Sequence, residues 1–172
     1  GGTATGLEIK LAGEDPSIRR FDAVLSTTPS WVFASLAPGL PSSYRELLTS
    51  TTYLAAVMMI LELDRPLTTT YWLNIADRSI PFIGVIEHTN LVGSEIYGNN
   101  RIVYLSNYLA ETDPLYKMND EELFNTYLPH LKKINPAFSS EWVKKYHHYK
   151  IPNAQPLVDT NYSQNIPEHE TG

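Results

Sequence analysis

Apolar residues in the first part of the chain recur at every second position or in short runs, which is typical of strands rather than of long helices. Residues 7–11 alternate between apolar and polar, a turn is indicated at 13–17, and residues 21–26 are mostly apolar. This pattern predicts a β-hairpin formed by 7–11 and 21–26. Ser30, and then Ser42 or the serine after it, are suited to cap two short helices, the second of which runs through residue 48.

Four apolar segments in the middle of the chain predict the main sheet. Residues 51–63 are nearly all apolar, and the Asp-Arg-Pro turn that follows them favours a strand buried on both faces over a helix. Segment 68–75 is predicted to pair with it in antiparallel orientation. Two more strands are predicted at 81–90 and 101–108, joined by a polar loop.

The predicted strand at 81–90 ends in four polar residues, Glu87, His88, Thr89 and Asn90. Strand alternation predicts that Glu87 and Thr89 face one way and that His88 and Asn90 face the other, each pair about 7 Å apart. One of these faces is therefore expected to line a pocket. The ordinary pKa of histidine, about 6.5, allows proton exchange at neutral pH, so His88 is our candidate catalytic residue. The alternative is a structural hydrogen bond.

The last third of the chain predicts one helix and a long extended region. A helix is expected from an Asn119 cap, followed by acidic residues, to the lysine pair at 132–133. Residues 139–149 predict a short helix that turns into a strand, and 151–156 predict an extended, proline-containing segment. The polar stretch at 161–172 is expected to be a loose tail.

Together these elements predict the α+β class, with one twisted, largely antiparallel mixed sheet of about five or six strands flanked by helices. A doubly wound parallel fold is excluded, because no helix is predicted between residues 51 and 108. A length of 172 residues with 42% hydrophobic and 19% charged residues fits one soluble globular domain.

Composition narrows the possible functions. Thirteen Lys and Arg against nineteen Asp and Glu give a net charge of −6, which opposes nucleic-acid binding. We expect no membrane span, because no apolar run reaches about 18 residues. The absence of cysteine removes disulfides and thiolate chemistry, and it is compatible with a cytoplasmic location. No metal site is predicted, because the neighbouring His147 and His148 diverge on a strand or a helix.

Four short motifs follow one another along the chain in an order that is also found in a known protein family. They are FDAVLSTTP at 21–29, YWLNI at 71–75, EHTN at 87–90 and AQP at 154–156. This order resembles the substrate-side half of the flavin-dependent amine oxidoreductase family, which includes protoporphyrinogen oxidases and phytoene desaturases. The resemblance implies that a Rossmann half of the parent protein binds FAD. It also implies an inserted substrate domain, a mixed sheet flanked by helices, whose concave face covers the flavin ring.

The glycine motifs that would hold FAD are absent from this sequence. Gly1, Gly2 and Gly6 have the wrong spacing for a Gly-x-Gly-x-x-Gly turn, and no glycine-rich segment follows near the carboxyl end. We therefore expect a fragment that is inactive by itself and holds no FAD, cut from a FAD-dependent oxidoreductase. Its native start and any targeting segment are expected upstream, because the chain does not begin with Met.

The resemblance divides the chain into three parts. Residues 1–28 are expected to be a hairpin at the edge of the missing FAD-binding domain, 29–160 the substrate-binding domain, and 161–172 a tail leading to the missing FAD-binding segment. The partners expected for the chain are the rest of the parent protein and a small-molecule substrate.

A flavin transfers the hydride or electrons itself, so the protein has to position the substrate, exclude water and handle protons. Aromatic walls and a few polar groups suffice for these tasks. The residues that we predict to bind the substrate are Tyr71, Trp72, Glu87, His88, Asn90, Tyr104, Asn107 and Gln155. Each has a structural alternative, because aromatic residues fill cores and side-chain amides tie loops to strands.

Two other functions compete with this assignment. One is a cofactor-free α+β domain that binds a ligand or a protein through Glu87, His88 and the tyrosines. The other is a non-redox variant of the flavin fold that rearranges sugars attached to nucleotides, which the acidic composition does not favour because phosphates attract cations.

Overall fold

The computed structural model of the chain describes residues 4–158, 160–164 and 166. These residues form two compact units. The larger unit is Thr52–Leu157, and the smaller one contains the described residues on either side of that range.

The smaller unit begins with a hairpin of β1 (Gly6–Ile9) and β2 (Ser17–Arg20). The first strand was predicted, but the prediction of the second strand at 21–26 is wrong, because Gly6 pairs with Arg20 and Ile9 with Ser17. The turn closes early at Gly13, whose positive φ of 82° suits a residue without a side chain. Backbone hydrogen bonds rather than side-chain burial therefore hold β2 against β1, since every side chain of β2 is exposed.

Two short helices follow, α1 (Ser30–Leu36) and α2 (Ser42–Thr49), as the sequence predicts. The predicted serine caps are wrong. Prolines 29 and 41 occupy the N-cap positions, and neither helix has a side-chain cap hydrogen bond. Of the tail predicted at 161–172, residues 161–164 and 166 are described, with a 3-10 turn at Tyr162–Gln164. The rest of that tail lies outside the described residues.

The larger unit is built on a five-stranded antiparallel sheet that does not close into a barrel. Its order is β4-β5-β6-β3-β7, and every neighbouring pair is antiparallel. The strands are β3 (Tyr53–Leu63), β4 (Trp72–Asn74), β5 (Gly84–Glu87), β6 (Arg101–Leu109) and β7 (Val143–Pro156). The predicted α+β class is confirmed.

The helices of this unit are α3 (Pro114–Lys117), α4 (Asp120–Tyr127) and α5 (Leu131–Ile134). The side chain of Asn119 caps α4, as predicted. The prediction of one continuous helix to residue 133 is wrong. Pro129 cannot donate a backbone hydrogen bond, and a 3-10 turn at Leu128–His130 separates α4 from α5. Other 3-10 turns lie at His88–Asn90, Ser94–Tyr97 and Ser140–Trp142.

Strand pairing differs from the prediction at the centre of the sheet. β3 pairs with β6 and β7, and not with segment 68–75. Only β4, three residues of that segment, forms a strand, and it pairs with β5. The long apolar β3 therefore lies between two long partners.

The strand predicted at 81–90 covers only Gly84–Glu87, so the predicted alternation of four polar side chains is wrong beyond Glu87. Side-chain hydrogen bonds replace the backbone ladder in the 3-10 turn that follows. Thr89 Oγ1 accepts from the Ile102 backbone N–H at 3.2 Å, and Asn90 Nδ2 donates to the Thr68 carbonyl at 2.9 Å.

One face of the sheet packs against the helices and forms the core. On β3 this face carries the odd-numbered residues, and α4 and α5 contribute apolar residues that are also inaccessible to solvent. The fully buried members of this core are Val57, Met59, Leu61, Leu63, Val85, Val103, Leu105, Leu123, Tyr127 and Leu131. The even-numbered residues of β3 consequently face the other way.

Candidate functional site

The second face of the sheet, which we call the open face, carries one residue from each of the five strands in a single row. Register places Trp72 opposite Ile86, Ile86 opposite Tyr104, Tyr104 opposite Ile60, and Ile60 opposite His147. Paired residues lie on the same face and strands are about 4.8 Å apart, so the row is about 19 Å long. It is mainly apolar and aromatic.

A second row runs beside the first. It consists of Asn74, Gly84, Ser106, Met58 and Tyr149. A Cβ atom at Gly84 would lie 2.6 Å from Ser106 Oγ, so the two residues approach closely and a larger side chain at 84 would require that hydroxyl to move.

The open face keeps large apolar side chains in contact with solvent. Trp72 is 52% exposed, Tyr149 51% and Tyr108, farther along β6, 44%. Met59 and Leu61 on the helix-covered face are 0% exposed. An exposed apolar surface of this kind marks a site for a ligand or for another protein surface.

One end of the open face is polar. His147 Nε2 lies 3.0 Å from Glu62 Oε1, and Asn100 Nδ2 donates to Glu62 Oε2 at 3.5 Å. Lys144 Nζ in turn donates to Asn100 Oδ1 at 2.9 Å. Sequence reasoning considered His147 only as a metal ligand and missed this pair, because only strand register brings residues 62 and 147 together.

His88 lies beside the same face, in the 3-10 turn after β5. Its Nε2 is 2.9 Å from the Tyr97 hydroxyl, and its ring meets the Tyr104 ring edge-on at 6.0 Å. Burial raises the pKa of the Tyr104 hydroxyl, which therefore stays protonated at neutral pH and can donate a hydrogen bond. Tyr71 contacts Trp72 edge-on at 6.3 Å. The structure thus brings Tyr104 and His88 together, and it places Tyr71 beside the first residue of the row.

Three predicted site residues instead bind the backbone of neighbouring segments. Glu87 is fully buried, and its Oε2 accepts from the Thr68 N–H at 2.7 Å. Burial raises the pKa of the Glu87 carboxyl. Asn90 donates to the carbonyls of Thr68 and Thr70, and Asn107 Nδ2 donates to the Pro81 carbonyl at 3.0 Å.

Gln155 lies apart from the other predicted residues. It pairs with Leu54 at the beginning of β3, six residues before Ile60 of the first row. At about 3.3 Å per residue this is a separation of about 20 Å along the strand. A ligand that contacts both the first row and Gln155 would therefore have to extend about 20 Å along the strands.

The described residues contain neither a metal cluster nor a glycine turn suited to a flavin phosphate. Among them, no group of three or more His, Asp or Glu side chains is arranged to hold a metal ion. None of the described glycines lies between a strand and the start of an α-helix, where a dinucleotide phosphate would bind. The described part of the chain therefore does not by itself fit the FAD pyrophosphate. No helix within it has the length and apolar character needed to cross a membrane.

Comparison with known proteins gives one family and one fold. The family described as flavin containing amine oxidoreductase matches residues 3–167. No curated protein sequence matches the chain significantly.

Three solved structures share the fold. A putative protoporphyrinogen oxidase from Exiguobacterium sp. 255-15 has a TM-score of 0.61 and 15% identity, over 87% of this chain and 32% of that one. A reduced UDP-galactopyranose mutase has a TM-score of 0.60 and 15% identity, over 82% of this chain and 31% of that one. An oxidoreductase from Methanosarcina mazei has a TM-score of 0.61 and 21% identity, over 90% of this chain and 36% of that one. The chain thus spans about a third of the length of each of these structures.

Proposed function

Because the chain belongs to the flavin containing amine oxidoreductase family, we propose that it is the substrate-recognition part of a FAD-dependent oxidoreductase. The FAD would be bound mainly by another part of the parent protein. The observation that supports this most strongly is the five-residue row of the open face, from Trp72 to His147, on the side of the sheet opposite to the core formed with α4 and α5. A flat apolar substrate has room to lie on this row.

The proposed domain division follows the same logic. Residues 29–160 would be the substrate-binding domain, 1–28 a hairpin at the edge of the FAD-binding domain, and 161–172 the tail that leads back to it. The compact unit Thr52–Leu157, which contains the whole open face, lies within the proposed substrate-binding range. This agreement supports the later part of the division.

A bound flavin supplies hydride or electron transfer, which leaves three tasks to this chain. Trp72 and Tyr104 would hold the apolar body of the substrate and exclude water from it. His88 would exchange a proton with the substrate, its ring held by the Tyr97 hydroxyl. Tyr71 would extend the aromatic wall beside Trp72.

Glu87, Asn90 and Asn107 would serve binding through their backbone contacts. Glu87 and Asn90 hold the segment that leads into β4, and Asn107 holds the segment that leads into β5. These contacts would fix the strands that present the row. Gln155 would meet only a long substrate.

The test is to express the full-length parent protein, record its visible absorption for bound flavin, and screen compounds for those that bleach it. His88→Ala is expected to slow bleaching by about 100-fold, as loss of an acid-base group does. His130→Ala, in the turn between α4 and α5, is the matched control and is expected to leave the rate unchanged.

A parent protein without flavin would contradict the proposal and favour the cofactor-free binding domain. A flavin-containing parent in which His88→Ala bleaches at the normal rate would remove only the catalytic role of His88.

A further inference from the structure

The polar end of the open face contains a histidine whose orientation is fixed by a carboxylate. We propose that His147, oriented by Glu62, is the polar anchor of the open face and accepts a hydrogen bond from an O–H or N–H group of an otherwise flat, apolar ligand. The proposal rests on the proposed function, because it assumes that the ligand lies on the open face. It adds the chemical class of the ligand and the atom that recognises it.

The contact with Glu62 determines which ring nitrogen of His147 is available. A carboxylate oxygen can only accept a hydrogen bond, so Nε2, 3.0 Å from Glu62 Oε1, carries the hydrogen. In the neutral ring Nδ1 then keeps its lone pair and is an acceptor. No described residue forms a hydrogen bond with this nitrogen, and the side chain is 32% exposed. A ligand on the open face can therefore reach it.

Three other polar groups at this end, Glu62, Asn100 and Lys144, are already engaged. Glu62 accepts from His147 at one oxygen and from Asn100 at the other. Lys144 donates to Asn100, and Lys145, which pairs with Glu62 across the strands, is exposed to solvent. His147 is thus the member of the group that presents an acceptor to a ligand while its own orientation is held.

Geometry indicates the size of the ligand. His147 and Tyr104 lie on either side of Ile60, two strand spacings or about 10 Å apart. A two-ring aromatic body placed on Ile60 and Tyr104 brings a substituent at its end to His147. The ligand class is therefore a planar apolar compound with a hydrogen-bond donor at one end.

The test uses 2-naphthol and 2-methoxynaphthalene, which share a body and differ in the donor. Binding to the 172-residue chain at pH 8 is followed by NMR, through the shifts of Ile60 and Tyr104. We expect 2-naphthol to bind about tenfold more tightly, the effect of one hydrogen bond. His147→Phe is expected to remove that preference and to leave 2-methoxynaphthalene binding unchanged. His130→Phe, the control, is expected to keep the preference.

Glu62→Leu tests the orienting role, since it leaves His147 in place without its partner. We expect an intermediate loss of the preference and an otherwise unchanged amide spectrum, which verifies the fold. Equal binding of the two compounds, or a preference that survives His147→Phe, would overturn the anchor while the proposed function stands. If neither compound shifts Ile60 or Tyr104, the open face does not bind planar aromatic ligands and the anchor is overturned, while the flavin content of the full-length parent still decides the proposed function.

Discussion

The close approach of Gly84 to Ser106 on the open face makes a specific prediction about stability. Gly84→Ala places a Cβ atom 2.6 Å from Ser106 Oγ, closer than such atoms pack, whereas Ser106 Cβ is 4.0 Å away. The hydroxyl must therefore move, at an expected cost of about 1–2 kcal/mol. Against this, alanine in a strand is favoured over glycine by about 0.5–1 kcal/mol. We expect Gly84→Ala to lower the free energy of unfolding by about 0.5–1 kcal/mol.

Removing the hydroxyl reverses the sign of this effect. In a Ser106→Ala background, Gly84→Ala meets only an ordinary contact and is expected to raise the free energy of unfolding by about 0.5–1 kcal/mol. The coupling energy of the cycle is then about 1–2 kcal/mol. Urea unfolding followed by tryptophan fluorescence measures all four proteins. A coupling below about 0.3 kcal/mol would refute the close approach of these two residues across β5 and β6.

Three further predictions follow from single contacts. Burial raises the pKa of the Glu87 carboxyl, so the stability that its neutral form contributes is lost as the pH rises from about 4.5 through the folded-state pKa. The Glu87→Gln variant does not titrate at this position. Urea unfolding is therefore expected to show that it gains stability relative to wild type as the pH rises from 4.5 to 8. Asn119→Ala removes the acceptor of two amides of α4 and is expected to cost about 1–2 kcal/mol, against almost nothing for the exposed Asn125→Ala in the same helix. Hydrogen bonds from Ser79 lower the pKa of Asp77 to about 2, and Ser79→Ala should move its NMR titration midpoint up toward the ordinary 3.8.

Elements with strong local signals were predictable from the sequence. The thirteen-residue apolar run predicted β3, the segment at 101–108 was predicted as the strand that became β6, and the asparagine cap with acidic residues predicted the start of α4. In each case the residues that determine the element lie within it or next to it. Loss of the helix at Pro129 was also readable from the sequence, because proline lacks the donor that a continuous helix needs there.

Pairing partners were not predictable in the same way. The hairpin uses the polar Ser17–Arg20 rather than the apolar residues after it, because the turn at Gly13 brings those backbone groups opposite β1. β3 pairs along most of its length with β6 and β7, which are distant from it in the chain. Such choices depend on contacts between distant segments, which periodicity within one segment does not reveal.

The same limit explains why the residues of the candidate site were only partly predictable from the sequence. Trp72 and Tyr104 were predicted as binding residues from their type, and they occupy one row only because of the register of five strands. Glu87 and Asn107 have residue types suited to ligands, but alternation turns them toward the helix-covered side and the backbone. His147 was overlooked because its partner Glu62 is 85 residues away in the chain.

The composition of β3 itself connects the fold to the proposed binding role. A strand that is apolar on both faces gains stability from both only if two layers cover it, and each large apolar side chain that is fully buried contributes about 1.5–3 kcal/mol. Helices cover the side of Met59 and Leu61, whereas Met58 and Ile60 on the other side remain half-buried. Stability of this unit alone does not require apolar residues at positions 58 and 60, where polar residues would face solvent at lower cost. The proposed second covering surface, a substrate with the flavin domain behind it, would account for the apolar character of those residues. The two-sided apolar pattern that predicts a central strand is therefore also the sequence signal of the open face.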